Sequence, residues 1–325
     1  MQDKARIPEN GCSVDRVVGA DRPRRRCRPG RAAEEAVGGT CASWPSEAPL
    51  PCASLSRQRA REGDLPLLTG HDVVVTGASS GIGRQIVIVL AEAGARVMAV
   101  ARREAALAEL ARTVRPPAPP LILVAADVVR PDGISALREA MEAEAFQPDL
   151  LVNVAGTFGP IALVGDVEPE SWVEAVETNL LSVFRMCAEI VPRMRSQGRG
   201  IILNATSAAS LDIQAGNSAY GTSKAAVNHF TRQLALELES SGVVADVFHP
   251  GDVRTEMFED IRAAAAVAGD AGAGYRDWVA LMDETGGDPL DEAAELVLRV
   301  AMSPDPPNGR FLWIDGGITA PRATW

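Results

Sequence analysis

Lysine is nearly absent from this sequence: among its 32 basic residues only Lys4 and Lys224 are lysines, and the others are arginines. The sequence also has only three histidines, two tyrosines and no run of 18 consecutive apolar residues. Because a membrane-spanning helix needs about 20 apolar residues, no such helix is predicted. The N-terminus also lacks the basic and then apolar pattern of a secretory signal. We therefore expect a cytoplasmic protein that is not embedded in a membrane.

The charge of the chain limits its partners. A formal net charge of -11 argues against general binding of nucleic acids or anionic membranes, which an acidic surface repels. Small molecules are therefore the expected partners. With 325 residues, the chain is long enough for one large α/β domain or for two smaller domains.

Residues 1–66 differ from the rest of the chain in composition. They are rich in Pro, Gly and Ser and carry almost no sustained apolar periodicity, so we predict a low-complexity, disordered extension that folding and activity do not need. A targeting or binding tail is the alternative interpretation. Four cysteines in this segment have no CxxC pair and no nearby histidine, and no metal site is predicted. They are Cys12, Cys27, Cys41 and Cys52.

From Leu67 onward, apolar runs of strand length alternate with amphipathic segments of helix length. This alternation predicts one α/β domain over residues 67–325, a doubly wound sheet of about seven mostly parallel strands with helices on both faces. The predicted strands are 72–76, 96–100, 121–125, 149–153, 200–205, 243–248 and 311–314. The predicted helices are 82–93, 104–114, 131–145, 170–197, 219–241 and 291–302, and Cys187 is interpreted as a core residue of one of them.

A glycine-rich turn follows the first predicted strand. In VVVTGASSGIG, the glycines Gly77, Gly81 and Gly83 separate an apolar strand from a helix. Backbone N–H groups in such a turn, together with the helix N-terminus, can bind a pyrophosphate. The spacing is GxxxGxG rather than GxGxxG, and the turn alone is also compatible with a purely structural connection.

Tyr220 and Lys224 form a YxxxK pattern on a predicted helix, where residues four apart share one face. The phenol and the ammonium group can therefore converge on the same volume. A phenol with a pKa of about 10 is a poor base at neutral pH, and a neighbouring cation favours its ionised form. Lysine also presents compact donors that can hold ribose hydroxyls, a role that suits a guanidinium less well. Taken alone the pattern is weak, since a helical tyrosine is usually a core residue.

Several motifs together resemble those of the short-chain dehydrogenase/reductase family. They are TGASSGIG, the aspartate of VAADV, NVAG in place of the family's NNAG, the asparagine of VETNLL, a serine thirteen residues before the tyrosine, YxxxK, and the PG of HPGDVRT. The resemblance covers residues 67–317. It implies a Rossmann-type oxidoreductase domain that binds NAD(P)(H) through Gly77, Ser79, Ser80, Gly81, Ile82, Gly83, Asp127, Val128, Asn153, Ala155, Gly156, Tyr220, Lys224, Pro250, Gly251, Val253 and Thr255.

The same resemblance implies the chemistry, which is hydride transfer between a nicotinamide and a carbonyl or carbinol carbon. Ser207 would hydrogen-bond the substrate oxygen, with Ser210 as the competing hydroxyl. Tyr220 would act as general acid or base, and Lys224 would lower its pKa and orient the ribose. Asn179 would belong to a water-linked proton path, or would kink the long helix on which it lies.

The choice of cofactor depends on the end of the second predicted strand, where Ala101 is followed by Arg102 and Arg103. An enzyme that uses NAD usually has an acidic residue there. Guanidinium groups suit a 2′-phosphate, so NADP(H) is favoured, with Arg102 as the preferred contact and Arg103 as the weaker one. The alternative interpretation is that both are solvated residues at the start of a helix. The alternatives to an NADP(H)-dependent reductase are an NAD-dependent alcohol dehydrogenase and a dinucleotide-binding sensor without turnover.

Residues 256–290 are expected to form a mobile lid over the substrate, with flexible Ala/Gly runs around Tyr275 and Trp278. Two interpretations of this segment stay open. Its aromatic residues contact an apolar substrate, or Trp278 and Leu281 pack a lid helix onto the body of the domain.

Two further expectations concern residues near the chain's last strands. His249 is a weaker candidate for an acid or base, because the tyrosine already fills that role. The family commonly assembles as dimers or tetramers, so a homodimer or homotetramer is expected. Phe311 and Trp313 are compatible with burial at such an interface.

Overall fold

The structure is a computed structural model that describes residues 67–319, so the predicted N-terminal extension and its cysteines lie outside the described residues. The described strands form one sheet in the order β3-β2-β1-β4-β5-β6-β7-β8, in which β1 to β7 are parallel and β8 is antiparallel to β7. Their bounds are β1 (Asp72–Thr76), β2 (Arg96–Ala101), β3 (Ile122–Ala125), β4 (Pro148–Asn153), β5 (Gly200–Ala205), β6 (Val243–His249), β7 (Phe311–Trp313) and β8 (Ile318–Thr319).

This sheet confirms the predicted doubly wound architecture, and β8 is an addition to it. The short strand β8 follows a turn closed by hydrogen bonds between Trp313 and the glycines Gly316 and Gly317. A strand of two residues has no periodicity of its own, so the sequence carried no signal for it.

Helices connect the strands and cover both faces of the sheet. Their bounds are α1 (Gly81–Glu92), α2 (Glu104–Thr113), α3 (Pro131–Ala143), α4 (Pro169–Val176), α5 (Ser182–Gln197), α6 (Ser218–Glu237), α7 (Glu256–Val267), α8 (Ala273–Thr285) and α9 (Leu290–Ala301). Within residues 67–319, no helix is both long enough and apolar enough to span a bilayer.

Two helix predictions differ from the structure. The helix predicted over 170–197 is divided into α4 and α5 by a π-helical turn at Glu177–Leu181. Helix α6 ends at Glu237, earlier than predicted, because Ser240 has a left-handed backbone with φ of 66°.

Alternate side chains of the strands pack on opposite faces of the sheet, as the period of two residues requires. Val73 and Val75 point to a layer formed by α1, α2 and α9, whereas Val74 points to a layer formed by α3, α5 and α6. Each fully buried valine or leucine contributes about 1.5–3 kcal/mol to folding. The predicted core residue Cys187 is indeed buried, with 2% of its surface exposed.

Helices α7 and α8 form a third, smaller apolar cluster above the sheet. Phe258 and Ile261 of α7 and Tyr275 of α8 pack there against Phe158 and Ile161. The alanine run that we interpreted as flexible lies in α7, since alanine has the highest helix propensity.

The strand order reverses between β1 and β4, which are neighbours in the sheet although β2 and β3 lie between them in the chain. In open α/β sheets, ligands bind in the crevice at this reversal, outside the carboxyl ends of the strands. The turns that follow β1, β4, β5 and β6 all lie at that edge.

Candidate active site

The glycine-rich turn after β1 packs closely against the turn after β4. Gly77 has a φ of 69°, and a Cβ on it would lie 2.8 Å from the backbone nitrogen of Ala155. A Cβ on Gly83 would clash with the carbonyl oxygen of Gly77. The Oγ1 atom of Thr76 accepts hydrogen bonds from the N–H groups of Val154 (3.1 Å) and Ala155 (3.2 Å). Only glycine fits at positions 77 and 83. The close packing of the two turns joins the ends of β1 and β4.

The N-terminus of α1 fits a pyrophosphate. Its N-cap residue, Ser80, makes no side-chain capping bond, and the first turn of the helix holds no acidic residue. The free N–H groups and the positive end of the helix dipole therefore favour an anion. Gly81 has a φ of 51°, and a Cβ on it would lie 3.1 Å from Thr255 Cγ2, so the start of the helix packs closely against Thr255. The turn thus offers N–H donors to the predicted dinucleotide and lines the cleft, and the binding itself stays a prediction.

The two arginines after β2 have different surroundings. Arg103 donates to Ser79 Oγ (3.3 Å) and forms an ion pair with Glu256 at the start of α7, with 3.0 Å between Nη2 and Oε2. A hydrogen bond from the Arg103 guanidinium to the Glu256 carboxylate is the main reason that the pKa of Glu256 is lowered. Arg102 is exposed and makes no hydrogen bond or ion pair within residues 67–319. Arg103, the weaker candidate from the sequence, is therefore the arginine that contacts the glycine-rich turn.

Asp127 follows β3 in a tight turn of its own. Its Oδ1 accepts a hydrogen bond from the N–H of Val129 (3.0 Å), and Gly133 packs against its backbone. Asp127 and Val128 also line the same cleft as the glycine-rich turn. The structure thus shows the structural turn and places Asp127 in the wall of the cleft, and its contact with a cofactor stays a prediction.

Lys224 lies in α6, one turn beyond Tyr220, as the sequence predicted. Only 4% of its surface is exposed, and its Nζ donates to the carbonyl oxygen of Ala205 (2.9 Å). The Nζ lies 5.7 Å from the centre of the Tyr220 ring. Burial lowers the pKa of Lys224 to about 8. A Cβ on Gly156 would lie 3.6 Å from this Nζ, so the turn after β4 reaches the reacting end of the cleft.

The pKa of Tyr220 differs from the sequence-based expectation. We expected Lys224 to lower it, but burial of the phenol raises the pKa to about 12, and the interaction with Ser207 only partly opposes the rise. The negative charge of Asp252 raises it further. Burial removes the phenolate from water, and the nearby groups compensate for only part of the hydration energy that is lost. The phenol is therefore protonated at neutral pH.

Ser207 and Ser210 can be told apart by their contacts. Ser207, two residues after β5, lines the cleft, and its Oγ accepts a hydrogen bond from the N–H of Ala209 (3.2 Å). Ser210 donates to the carbonyl oxygen of Ser207 (2.5 Å) and accepts from Asn228 (2.8 Å). Since Ser210 is held in this local network, Ser207 is the hydroxyl that remains next to Tyr220.

Asn179 lies in the π-helical turn and is fully buried. Its side chain accepts from the N–H of Thr157 (2.8 Å) and donates to the carbonyl oxygen of Thr157 (2.9 Å) and to Ser223 Oγ (3.0 Å). It therefore holds the segment after β4 against α6. The irregular helix geometry and the predicted site position occur together at this residue, as π-helical turns often do.

Most of the predicted site residues line one cleft of about 1030 Å³ at the carboxyl edge of the sheet. The exceptions are Asn153 and Asn179. Asn153 lies in β4 with its side chain in the core, where it donates to Asn204 Oδ1 (2.8 Å). The Asn153 side chain is therefore not placed to contact a cofactor in the cleft. The sequence pattern places the residue correctly but does not indicate which way it points.

The segment after β6 reaches the cleft as predicted. Pro250, Gly251, Val253 and Thr255 all line it, and Gly251 has a φ of 84°. His249, which precedes them, is buried with its Nδ1 lacking a partner among the described residues. Burial lowers the pKa of His249, which keeps the imidazole neutral.

The surroundings of Phe311, Leu281 and Trp278 bear on three apolar interpretations of the sequence. Phe311 has only 7% of its surface exposed and packs in the core of this chain, which leaves little of its side chain for a second subunit to cover. Leu281 is 54% exposed and therefore does not pack α8 onto the body. Trp278 does pack, with its ring 5.5 Å from that of Phe258, and it also lines the cleft.

Among the cleft residues that the sequence analysis missed are Phe158 and Asn217. Phe158 stacks on Tyr220 with 4.7 Å between ring centroids, and it meets Tyr275 edge to face at 5.1 Å. Neither residue belongs to a recognisable motif. No local pattern could have indicated Phe158, because its aromatic partners Tyr220 and Tyr275 lie far from it in the sequence.

Comparisons with known proteins agree with this geometry. A family model described as short chain dehydrogenase matches residues 71–266. The chain is 34% identical over 195 residues to a short chain dehydrogenase of Pseudocercospora fijiensis, a match that covers 58% of this chain and 62% of that protein. It is also 34% identical over 205 residues to the NADPH-dependent aldehyde reductase-like protein, chloroplastic, of Arabidopsis thaliana, covering 59% of this chain and 76% of that protein.

A solved structure is also similar. The structure of an actinorhodin polyketide ketoreductase variant with NADPH matches with a TM-score of 0.65 and 28% identity. This match covers 75% of the present chain and 95% of the ketoreductase chain.

Proposed function

Because the chain belongs to the short-chain dehydrogenase family of oxidoreductases, we propose that it uses NADPH to reduce the carbonyl group of a small ketone or aldehyde. The observation that carries this proposal is the placement of Ser207, Tyr220 and Lys224 in the same cleft as the glycine-rich turn. A dinucleotide seated on α1 would extend along this cleft toward the phenol. A sensor without turnover has no need for all three reactive side chains.

The proposed proton donor is Tyr220. Its raised pKa, about 12, keeps the phenol protonated at neutral pH, which suits donation of a proton to a carbonyl oxygen. Ser207 would donate a hydrogen bond to the same oxygen and orient it. When bound, the nicotinamide cofactor supplies the hydride. These roles favour reduction over oxidation as the direction of the reaction.

Lys224 has a holding role in this proposal. Its Nζ is fixed by the Ala205 carbonyl oxygen, which leaves further N–H donors for the hydroxyls of a ribose. With its pKa lowered to about 8, the group is still mostly charged at neutral pH. Asn179 holds Thr157 and Ser223 near Lys224 through its hydrogen bonds. In this proposal Asn179 does not contact the substrate itself.

The preference for NADP(H) over NAD(H) rests on Arg102 and Arg103. Both line the cleft where β2 ends, and Ala101 occupies the position at which an enzyme using NAD usually has a carboxylate. One relative is named as NADPH-dependent, and one similar structure contains NADPH. These names support the preference.

The proposed location of the protein is the cytoplasm.

The proposed assembly is a homodimer or homotetramer. Phe184 of α5 is 52% exposed and meets Phe230 of α6 edge to face at 6.0 Å, while Leu236 of α6 is 60% exposed. These side chains give α5 and α6 an exposed apolar face that suits a second subunit. Light scattering on the purified chain tests the assembly, and a monomer at micromolar concentration would contradict it.

The decisive experiment is a panel of ketones and aldehydes, with NADPH consumption measured for the wild type and for Tyr220→Phe. We expect the variant to lose about 100-fold to 10,000-fold in kcat while it still binds NADPH. Cofactor binding, followed by fluorescence, is the control for folding. Full turnover by Tyr220→Phe would overturn the mechanism. Equal affinity for NADH and NADPH would overturn the cofactor preference.

A further inference from the structure

The turn after β6 is joined to the segment that follows α8 by a pair of hydrogen bonds. The N–H of Asp252 donates to Asp288 Oδ2 (2.7 Å), and the N–H of Asp288 donates to the carbonyl oxygen of Asp252 (2.8 Å). Both backbone polar groups of Asp252 are therefore held by one residue that lies 36 positions away. Within residues 67–319, the Asp288 carboxylate accepts no other hydrogen bond.

Glycines on both sides of this contact leave no space for a side chain. Gly251 has a φ of 84°, and a Cβ on it would lie 2.8 Å from Asp288 Oδ2. Gly287 has a φ of 70°, and a Cβ on it would lie 2.6 Å from the carbonyl oxygen of Asp252. Because a glycine backbone adopts several conformations with similar ease, its surroundings must select one of them. The two hydrogen bonds of Asp288 supply this constraint for the turn at Gly251.

The same contact determines the direction of the next peptide group. The peptide bond between Asp252 and Val253 is trans, so its C=O and N–H groups point in opposite directions. Because the C=O of Asp252 faces Asp288, the N–H of Val253 faces away from Asp288. Val253 lines the cleft, whereas Asp288 does not. The N–H of Val253 is therefore turned to the cleft side, and it makes no hydrogen bond with the described residues.

This turn lies at the reacting end of the cleft. Strand β6 pairs with β5, the strand that precedes Ser207. The negative charge of Asp252 contributes to the raised pKa of Tyr220, which agrees with this position. A nicotinamide carries a carboxamide whose oxygen accepts hydrogen bonds, and a backbone N–H without a protein partner suits it. Val253, which the sequence predicts as a cofactor-binding residue, thus offers a donor on the side of Ser207 and Tyr220.

We propose that Asp288 is a positioning residue for the nicotinamide half of the cofactor. It acts through Asp252, since its carboxylate and its N–H fix the peptide group that directs the N–H of Val253 to the cleft. This inference rests on the proposed use of NADPH and adds a residue that lies outside the cleft. The competing interpretation is that Asp288 only stabilises the fold, as an acidic residue next to the N-terminus of α9.

The test compares two ligands that differ in the nicotinamide half. NADPH carries it, whereas adenosine 2′,5′-bisphosphate contains only the adenosine and its phosphates. In Asp288→Ala, we expect the dissociation constant of NADPH, measured by fluorescence, to rise about tenfold, because a charge-assisted hydrogen bond is lost. The dissociation constant of adenosine 2′,5′-bisphosphate, measured by calorimetry, should stay within about twofold of the wild-type value.

Asp288→Asn is the conservative variant. Its amide oxygen can still accept the hydrogen bond from Asp252, so we expect the affinity for NADPH to return to within about threefold of the wild type. This rescue would show that the accepted hydrogen bond matters more than the charge.

Two neighbouring glycines provide a matched pair of variants. Gly286 and Gly287 both have a left-handed backbone, with φ of 84° and 70°. A Cβ at Gly287 would collide with the carbonyl oxygen of Asp252, whereas a Cβ at Gly286 meets no atom within 4 Å. Alanine strains the backbone at either position, but only Gly287→Ala should also weaken the binding of NADPH.

The outcomes separate the role of Asp288 from the function on which it rests. Unchanged NADPH binding by Asp288→Ala would overturn the role and leave carbonyl reduction standing. So would equal losses of affinity for both ligands together with a lower free energy of unfolding in urea, which is the pattern of a purely structural residue. Equal effects of the two glycine variants on NADPH binding would also contradict it. A wild type that binds NADPH but reduces no ketone would overturn the reduction alone, and failure to bind NADPH would overturn both proposals.

Discussion

The two ends of the cleft are constructed by different means. At the cofactor end, Gly77 and Gly83 are required because backbone atoms approach one another too closely for any side chain. At the substrate end, Phe158, Tyr220 and Tyr275 come from three separate segments, and side-chain packing defines the surface. A site made of backbone leaves a short sequence pattern, whereas a site made of dispersed side chains leaves almost none.

Lys224→Arg tests the junction between the two ends and should have the largest effect. The buried Lys224 donates to Ala205, and the wider guanidinium does not fit the same space. We expect kcat for ketone reduction to fall by about 100-fold or more, although the charge is kept. Arg232→Lys exchanges the same two residue types at an exposed position of α6 and is the matched control. Near-full turnover by Lys224→Arg would mean that any cation suffices there.

Gly83→Ala tests the cofactor end. The added Cβ would collide with the Gly77 carbonyl oxygen, so we expect the free energy of unfolding to drop by about 1–3 kcal/mol, together with a loss of NADPH affinity. Gly165→Ala is the control, because a Cβ there meets no atom within 4 Å. Urea denaturation and cofactor titration measure both quantities. If the two variants have the same free energy of unfolding and the same NADPH affinity, close backbone packing does not distinguish the cofactor end from the substrate end.

The two halves of the sheet also differ in their buried carboxyl groups. Asp72 of β1 has the N–H of Gln147 (2.6 Å) and Arg96 (3.2 Å) as partners. Asp246 of β6 accepts a hydrogen bond at Oδ1 from the N–H of Arg310 (2.7 Å), but its buried Oδ2 has no partner among the described residues. Burial raises the pKa of Asp246 to about 8. Between about pH 4 and 8, the Asp246 carboxyl is therefore protonated in the folded state and ionised in the unfolded state.

It follows that Asp246 makes the protein less stable as the pH rises through this range. We expect Asp246→Asn to flatten the decrease in the free energy of unfolding between pH 5 and 8, measured by urea denaturation. The difference between variant and wild type should grow with pH. A constant difference across the range would show that the carboxyl does not titrate in the folded protein.

Glu256→Gln tests the contact between the two ends and should have the smallest effect. The ion pair with Arg103 is exposed, and such pairs contribute little. Its loss frees Arg103 for a 2′-phosphate, so we expect NADPH to bind about two to three times more tightly, most clearly at low salt. Glu259→Gln, which removes a partner of Arg262 instead, is the control. A similar gain for NADH would contradict the assigned role of Arg103.

The sequence predicted those parts of the fold and the candidate site that depend on local order. The strand and helix alternation, the YxxxK pair on one helix and the burial of Cys187 all follow from short-range periodicity. It could not predict the side-chain direction of Asn153, because partners such as Asn204 lie on a neighbouring strand. The raised pKa of Tyr220 depends on burial by the whole fold, and the pairing of Arg103 with Glu256 joins residues 153 positions apart.

The π-helical turn at Glu177–Leu181 has a consequence for the evolution of chain length. A π-helical turn corresponds to one extra residue in an α-helix, and one residue rotates all that follows by about 100°. Helix α4 contacts α6, while α5 contacts β4 and β5, so the extra residue sets the angle between two packing surfaces. Deletion of a single residue here would turn one of those surfaces away from its partner. Relatives of this chain should therefore keep the length of this segment even where its amino acids change.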